Sequence, residues 1–170
     1  MVKDSAIPDE ELVGRFIAGD EPAFEELVRR YYKLVYRFLV RFTGQLDLAE
    51  DLTQEVFIKV NRAIRSFNVE RQFKPWLFAI AANRARDALR AVRRVPKPMS
   101  IDARRSSDAP ALGELLEADA EAPLSALANE ESRSRVQQAL QQLPDNLREV
   151  LILAYYDKLK YREIADALAL

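Results

Sequence analysis

Residues 24–42 read FEELVRRYYKLVYRFLVRF. Phe24, Leu27, Val28, Tyr31, Leu34, Val35, Phe38, Leu39 and Phe42 recur at three- and four-residue spacing, the period of one face of an α-helix. Just upstream, Asp20 is placed to cap this helix, and Pro22 falls in its first turn, where a missing N–H costs little. Before that, PDEELVGRFIAG opens a helix at Pro8 or Asp9, gathers Leu12, Val13, Phe16 and Ile17 on one side, and ends at Gly19. Downstream, Gly44 stops the long helix. Asp47, with Glu50 three residues on, reads as a capping box for a third helix whose stripe is Leu48, Leu52, Val56, Val60 and Ile64. SFNVERQ, residues 66–72, breaks the pattern and reads as a loop. Lys74, Pro75 and Trp76 open a fourth helix that runs to about Arg94. The fold class expected is all-α.

The composition agrees. The chain has 170 residues, of which 4 are Gly, too few for turn-rich β architecture. It has no Cys, which removes disulfides, thiolate metal sites and thiol nucleophiles. It has no His, which removes the commonest general base and metal ligand near neutral pH. A carboxylate enzyme remains conceivable, with Asp51 and Glu55 as metal ligands, but one amphipathic helix supplies few ligands and no His completes a site. Binding rather than bond chemistry is expected, with no cofactor and no metal. No stretch nears the length of a membrane span, and MVKDSAIPDEEL lacks a signal-peptide core, so a cytoplasmic protein is expected.

The net charge of −1 hides a sorted chain. Residues 58–94 hold ten Lys and Arg against two acids, a net of +8, while every other segment is net acidic. The block lacks the neighbouring acids that a purely structural basic helix tends to have. It also interleaves Phe67, Phe73, Trp76 and Phe78 with its cations, a combination suited to phosphates and stacked bases of a single strand. Within FKPWLFAIAANRARDALRAVRR, residues 73–94, Trp76, Leu77, Ile80, Ala81 and Ala88 fit an inner stripe, and Asn83, Arg84, Arg86, Asp87 and Arg90 fall toward the other side. An Asn amid arginines can address a base edge while Arg holds phosphate. In DLTQEVF, residues 51–57, Asp51, Gln54 and Glu55 share one helix face and suit a partner that offers Arg.

Pro96, Pro98, Pro110 and Pro123 punctuate a stretch rich in Ala, Ser, Asp and Glu, which reads as an extended linker over 95–128. It divides a helical domain at 1–94 from a smaller one at 129–170. ESRSRVQQALQQL leads to Pro144, and residues 146–156 form the next helix. A polar turn at Asp157–Lys158 then precedes YREIADALAL, the first part of a helix-turn-helix unit. The sequence stops before a recognition helix, so this second domain reads as truncated. Whether the two domains lie apart or docked is open at the level of sequence.

DLTQEVF, the WLFAIAANRARDALR segment and the tail from Leu143, in this order, resemble the small bacterial sigma factors of the extracytoplasmic-function type. The resemblance covers about 9–94 and 130–170. It implies that Asp51, Leu52, Gln54, Glu55 and Phe57 bind core RNA polymerase, on the coiled coil of the largest subunit's clamp. It implies that Phe67, Arg71, Lys74, Trp76, Asn83, Arg84, Arg86, Asp87 and Arg90 contact promoter DNA, with a flipped base held in the loop at 66–74. Core polymerase, promoter DNA and an anti-sigma protein are the partners implied, and no membrane. An alternative in another class is a sigma-like module that sequesters an anti-sigma partner; such a mimic would be expected to lose the basic block, which this chain keeps.

Overall fold

The stripe of residues 24–42 sets the position of every other element. In the computed structural model, which describes residues 7–94 and 130–168 (side chains from 134 onward in the second stretch), that stripe lies on helix α2, Glu21–Thr43. Leu27, Val35, Phe38, Leu39, Val40 and Phe42 are buried along it. Helix α1, Asp9–Ile17, lays Leu12, Val13 and Phe16 against α2. Helix α3, Leu46–Ala63, turns Ala49, Leu52, Thr53, Val56, Phe57 and Val60 inward. It ends in a 3-10 turn at Ile64–Ser66. Helix α4, Phe73–Arg94, closes the layer with Phe73, Leu77, Phe78, Ala81, Ala82, Ala85 and Leu89. Three alanines on this inner face let α4 come close to its neighbours.

The second region holds α5, Glu130–Gln142, α6, Asp145–Tyr155, and α7, Tyr161–Leu168. Their Leu140, Ile152, Leu153, Leu159, Ile164 and Leu168 join the same apolar core as the first four helices. Helices α5 and α6 pack on α2, and α7 packs on α4. The all-α class and the two helical regions are as the sequence led one to expect, and there is no strand among the described residues. None of the described helices is long and apolar enough to cross a membrane. The linker expected over 95–128 and the two C-terminal residues lie outside the described residues.

Two expected caps are made differently. Asp20 does occupy the N-cap of α2, but its side chain makes no capping bond there. Its carboxylate instead meets Arg15 at 2.6 Å, because α1 ends one short turn away. The capping box at Asp47 and Glu50 does not form. Helix α3 begins two residues earlier, with Gln45 as N-cap, and Asp47 lies inside the first turn, where its charge still faces the positive end of the helix dipole. A reciprocal device appears where it was not looked for: the Lys160 N–H donates to Glu163 Oε2 at 2.7 Å, opening α7 after a turn in which Lys158 takes φ +56°.

The end of α2 is capped from far along the chain. Gly44 turns left-handed at φ +72°, and its N–H returns to the Val40 carbonyl at 2.9 Å. The carbonyls that a helix end leaves orphaned then receive side chains from the second region. Gln137 Nε2 donates to the Arg41 carbonyl at 3.1 Å, and Gln141 Nε2 donates to the same oxygen at 2.9 Å. Arg148 Nη1 donates to the Phe42 carbonyl at 2.8 Å. The remaining Arg148 N–H groups reach the carbonyls of Leu140, Gln141 and Leu143. Gly44 has a second reason to be glycine, since a Cβ there would lie 3.0 Å from Gln141 Cδ. Burial pulls the Arg148 guanidinium below its ordinary value, while Asp145 at 3.3 Å pulls it back up; arginine stays charged regardless. Replacing Arg148 by Met should cost on the order of 3 kcal/mol in urea denaturation, because several buried carbonyls lose their donor together. A loss below about 1 kcal/mol would mean that water takes over the cap.

Candidate nucleic-acid interface and partner-docking face

Helical spacing sorts α4 into a buried side and an outward ridge. Trp76, Asn83, Asp87, Arg90 and Arg94 follow one another along that ridge, and all but the half-buried Trp76 are exposed. Trp76, expected on the inner stripe, lies at the edge of that stripe: it packs against the core but stays half-buried, with part of the indole outward. It is held there by ring contacts, 4.9 Å from Phe67 and 5.8 Å from Phe73 between centroids. Phe73 in turn lies edge-on to Tyr31 at 5.6 Å. Phe67, Phe73 and Phe78 are buried, so among the four rings that the sequence offered for stacking only Trp76 presents a surface. Phe67, expected to touch DNA, is 8% exposed and sets its ring against Trp76.

The loop between α3 and α4 borders a cleft of about 340 Å³ lined by Asp9, Glu10, Tyr31, Glu70, Arg71, Gln72 and Lys74. Arg71 is exposed on it. Residues from α1 and α2 complete the cleft, and sequence reasoning missed them because nothing in local spacing links position 9 to position 71. They are firmly set. Glu10 accepts from the Phe73 N–H at 2.9 Å and so caps α4 from another helix. Asp9 accepts from Arg30 at 2.9 Å and from the Tyr31 hydroxyl. Burial, and then the bond to Asp9, push the Tyr31 phenol far above its ordinary value, so it stays a neutral donor.

The basic block does find acids, most of them from elsewhere in the fold. Arg84 pairs with Glu55 of α3. Arg93 makes a two-pronged bond to Asp145 of α6, both contacts at 2.9 Å. Arg86 lies 3.8 Å from Glu149 and donates to Asn83 Oδ1 at 2.5 Å. Arg90 reaches Asp87 at 3.1 Å. Lys74 Nζ donates to the Asp157 carbonyl at 2.6 Å. The scarcity of acids within 58–94 is therefore a property of the segment and not of the surface.

On α3, Asp51, Gln54 and Glu55 are exposed on the side away from the core, as their spacing implied. Leu52 and Phe57 are not beside them. They are buried, at 2% and 8% exposure, because α3 needs them on its inner face. Phe57 reaches the surface only through Tyr32, whose ring stacks on it at 5.9 Å.

A sequence family described as Sigma-70 region 2 matches residues 27–95, and one described as Sigma-70, region 4 matches residues 133–170. The chain is 36% identical over 161 residues to RNA polymerase sigma-H factor of Pseudomonas aeruginosa, covering 94% of this chain and 82% of that one. It is 36% identical over 159 residues to ECF RNA polymerase sigma-E factor of Escherichia coli K12, with the same shares covered. It is 32% identical over 151 residues to ECF RNA polymerase sigma factor SigW of Bacillus subtilis, covering 88% and 79%. Among solved structures, CnrH in complex with the cytosolic domain of CnrY shares the fold, with a TM-score of 0.66 at 24% identity over 95% of this chain and 83% of that one.

Buried Glu149 ties the stability of the fold to pH. Burial raises its carboxyl above 4.5, Arg86 opposes that, and Asp145 adds to it. A raised carboxyl binds more protons folded than unfolded, so its charge costs stability as pH climbs through the raised value. Glu149→Gln should therefore gain stability near neutral pH and flatten the fall in stability that begins above about pH 4.5. Thermal melts of both proteins from pH 4 to 8 would check this; parallel curves would contradict it.

Proposed function

This chain belongs to the sigma-70 factors of the extracytoplasmic-function type, and on that footing we propose how its own residues serve a sigma factor that binds core RNA polymerase and directs promoter recognition and opening. The observation that carries the assignment is the outward ridge of α4, with Trp76, Asn83, Asp87 and Arg90 in line beside the cleft of the loop at 67–72. Trp76 offers a face for a base to stack on. Asn83 offers a donor and an acceptor to a base edge, and Arg90 on the ridge offers charge to phosphates, joined by Arg84 and Arg86 where phosphate displaces their contacts with Glu55 and Glu149. Arg71 and Lys74 flank the cleft, which takes a base turned out of the strand. Opening a duplex costs a few kcal/mol per unstacked base, and a surface that binds only the opened strand offsets that cost.

The exposed acids of α3, with Gln54, form the core-polymerase face. Leu52 and Phe57 act behind it, holding α3 so that Asp51 and Glu55 point outward. An anti-sigma protein is the further partner. The factor works by binding and performs no bond chemistry of its own, and it acts in the cytoplasm, where polymerase is.

Two experiments test these roles. Reversing charge at Asp51 and Glu55 together should weaken binding to core polymerase by about tenfold or more, the worth of one or two lost charge-assisted contacts. Undiminished co-purification with core would remove the assignment. Replacing Arg84 and Arg90 with Ala should weaken binding of the holoenzyme to single-stranded promoter DNA. It should also lower the slope of log K against log salt by about 1.4, at about 0.7 for each lost phosphate contact. A slope equal to that of the parent would mean that the two arginines face elsewhere.

A further inference from the structure

The core-polymerase face of α3 carries one residue that charge alone does not explain. The inner side of this helix is Ala49, Leu52, Thr53, Val56, Phe57 and Val60. Directly opposite, three and four residues after Glu55 and Gln54, comes Ile58, 53% exposed. It lies on the same ridge as Asp51 and Gln54. A branched aliphatic side chain there gives the helix no packing and has a poorer helical propensity than Ala, Lys or Glu would have. One exposed isoleucine is ordinary by itself. Its surroundings are not.

Ile58 has Asp51, Gln54 and Glu55 beside it toward the start of α3, with Asp47 farther along the same face, and Lys59, Asn61 and Arg62 toward its end, all exposed. On the flank stands Tyr32, 39% exposed and stacked on Phe57, with Tyr36 next to it on α2. Of the acids, Glu55 is engaged by Arg84, whereas Asp47, Glu50 and Asp51 make no ion pair among the described residues. An apolar centre, a flanking tyrosine and a polar rim with uncommitted charge is the composition of a protein–protein hot spot. Unpaired acids select a cationic partner.

We propose that Ile58 is the apolar anchor of the polymerase-docking face, seated in an aliphatic recess of core polymerase whose rim supplies arginine or lysine to Asp51 and Asp47. This rests on the assignment of the α3 acids to core polymerase, and it divides the labour between them and Ile58. The acids steer and orient, and Ile58 holds. The two contributions respond differently to salt, because ion pairs on a rim are screened and apolar burial is not.

The test compares Ile58→Ala, Ile58→Lys and the Asp51/Glu55 reversal in full-length protein, titrated against core polymerase at low and high salt. All are surface changes, and thermal melts establish that each variant folds as the parent does. Ile58→Ala should weaken binding at least fivefold, by the same factor at both salt concentrations and mainly through faster dissociation. Ile58→Lys should weaken it further. The loss from the acid reversal should shrink at high salt. Parent-like affinity of both Ile58 variants, with the acid reversal still weakening binding, would overturn the anchor and leave the face in place. Parent-like affinity of all three would remove the face itself. A loss for Ile58→Ala that fades with salt would also overturn the anchor. So would a parent that sediments as a dimer and becomes monomeric in Ile58→Ala without loss of core affinity, since the isoleucine would then serve a second copy of this chain.

Discussion

A helix must do something with its last carbonyls. In this chain the longest helix, α2, ends in the middle of the molecule, where water is scarce and three consecutive carbonyls need donors. Gly44 satisfies one of them locally by turning the backbone left-handed. Gln137, Gln141 and Arg148 satisfy the others from the second region. The arginine does more than donate. Its charge sits at the negative end of the α2 dipole, its plane lies over the Phe42 ring at 5.4 Å, and its other N–H groups fix the ends of α5 and the start of α6. Arg41 adds a second cation over a ring, 4.0 Å from the centre of Tyr156. The packing of the two regions thus follows from the hydrogen-bond needs of a single helix end, and the apolar core closes around that join.

From that join follows the state of the α4 surface. Its flank toward the second region is occupied: Lys74, Arg86 and Arg93 each meet an oxygen of residues 145–157. Its ridge, with Trp76, Asn83 and Arg90, faces outward. Arg84 on the other flank meets Glu55 and so links α4 to α3. The two surfaces sit on adjacent helices, each packed against α2.

Much of this was readable in the sequence, for physical reasons that can be named. The α2 stripe is long enough for its period to be unambiguous, and glycines 19 and 44 mark helix ends because both take positive φ. Asp51, Gln54 and Glu55 were placed on one exposed face because three-four spacing is a local property. What local pattern cannot give is phase against a distant neighbour. Trp76 stands at the border of the α4 stripe, and its contacts with Phe67 and Phe73 decide how far it turns inward. Leu52 and Phe57 share a motif with the acids but not a face. The acids that balance the basic block come from positions 55, 145 and 149. The cleft walls come from positions 9, 10 and 31. The caps at Asp20 and Asp47 failed for a similar reason, since a nearby arginine and a two-residue shift of the helix start decide them.

The distant capping of α2 also has a temporal side. A ribosome releases Phe42 about a hundred residues before it releases Arg148, so the nascent first region must spend that interval with the end of its central helix open to solvent. Closing so long a loop carries an entropic cost that grows only slowly with its length, roughly as its logarithm. The stretch between the two regions can therefore lengthen or shorten with little thermodynamic penalty, whereas Gly44, Gln141 and Arg148 cannot change one at a time. Insertions and deletions in related chains should thus collect between residues 95 and 128, while the three capping positions vary together or not at all.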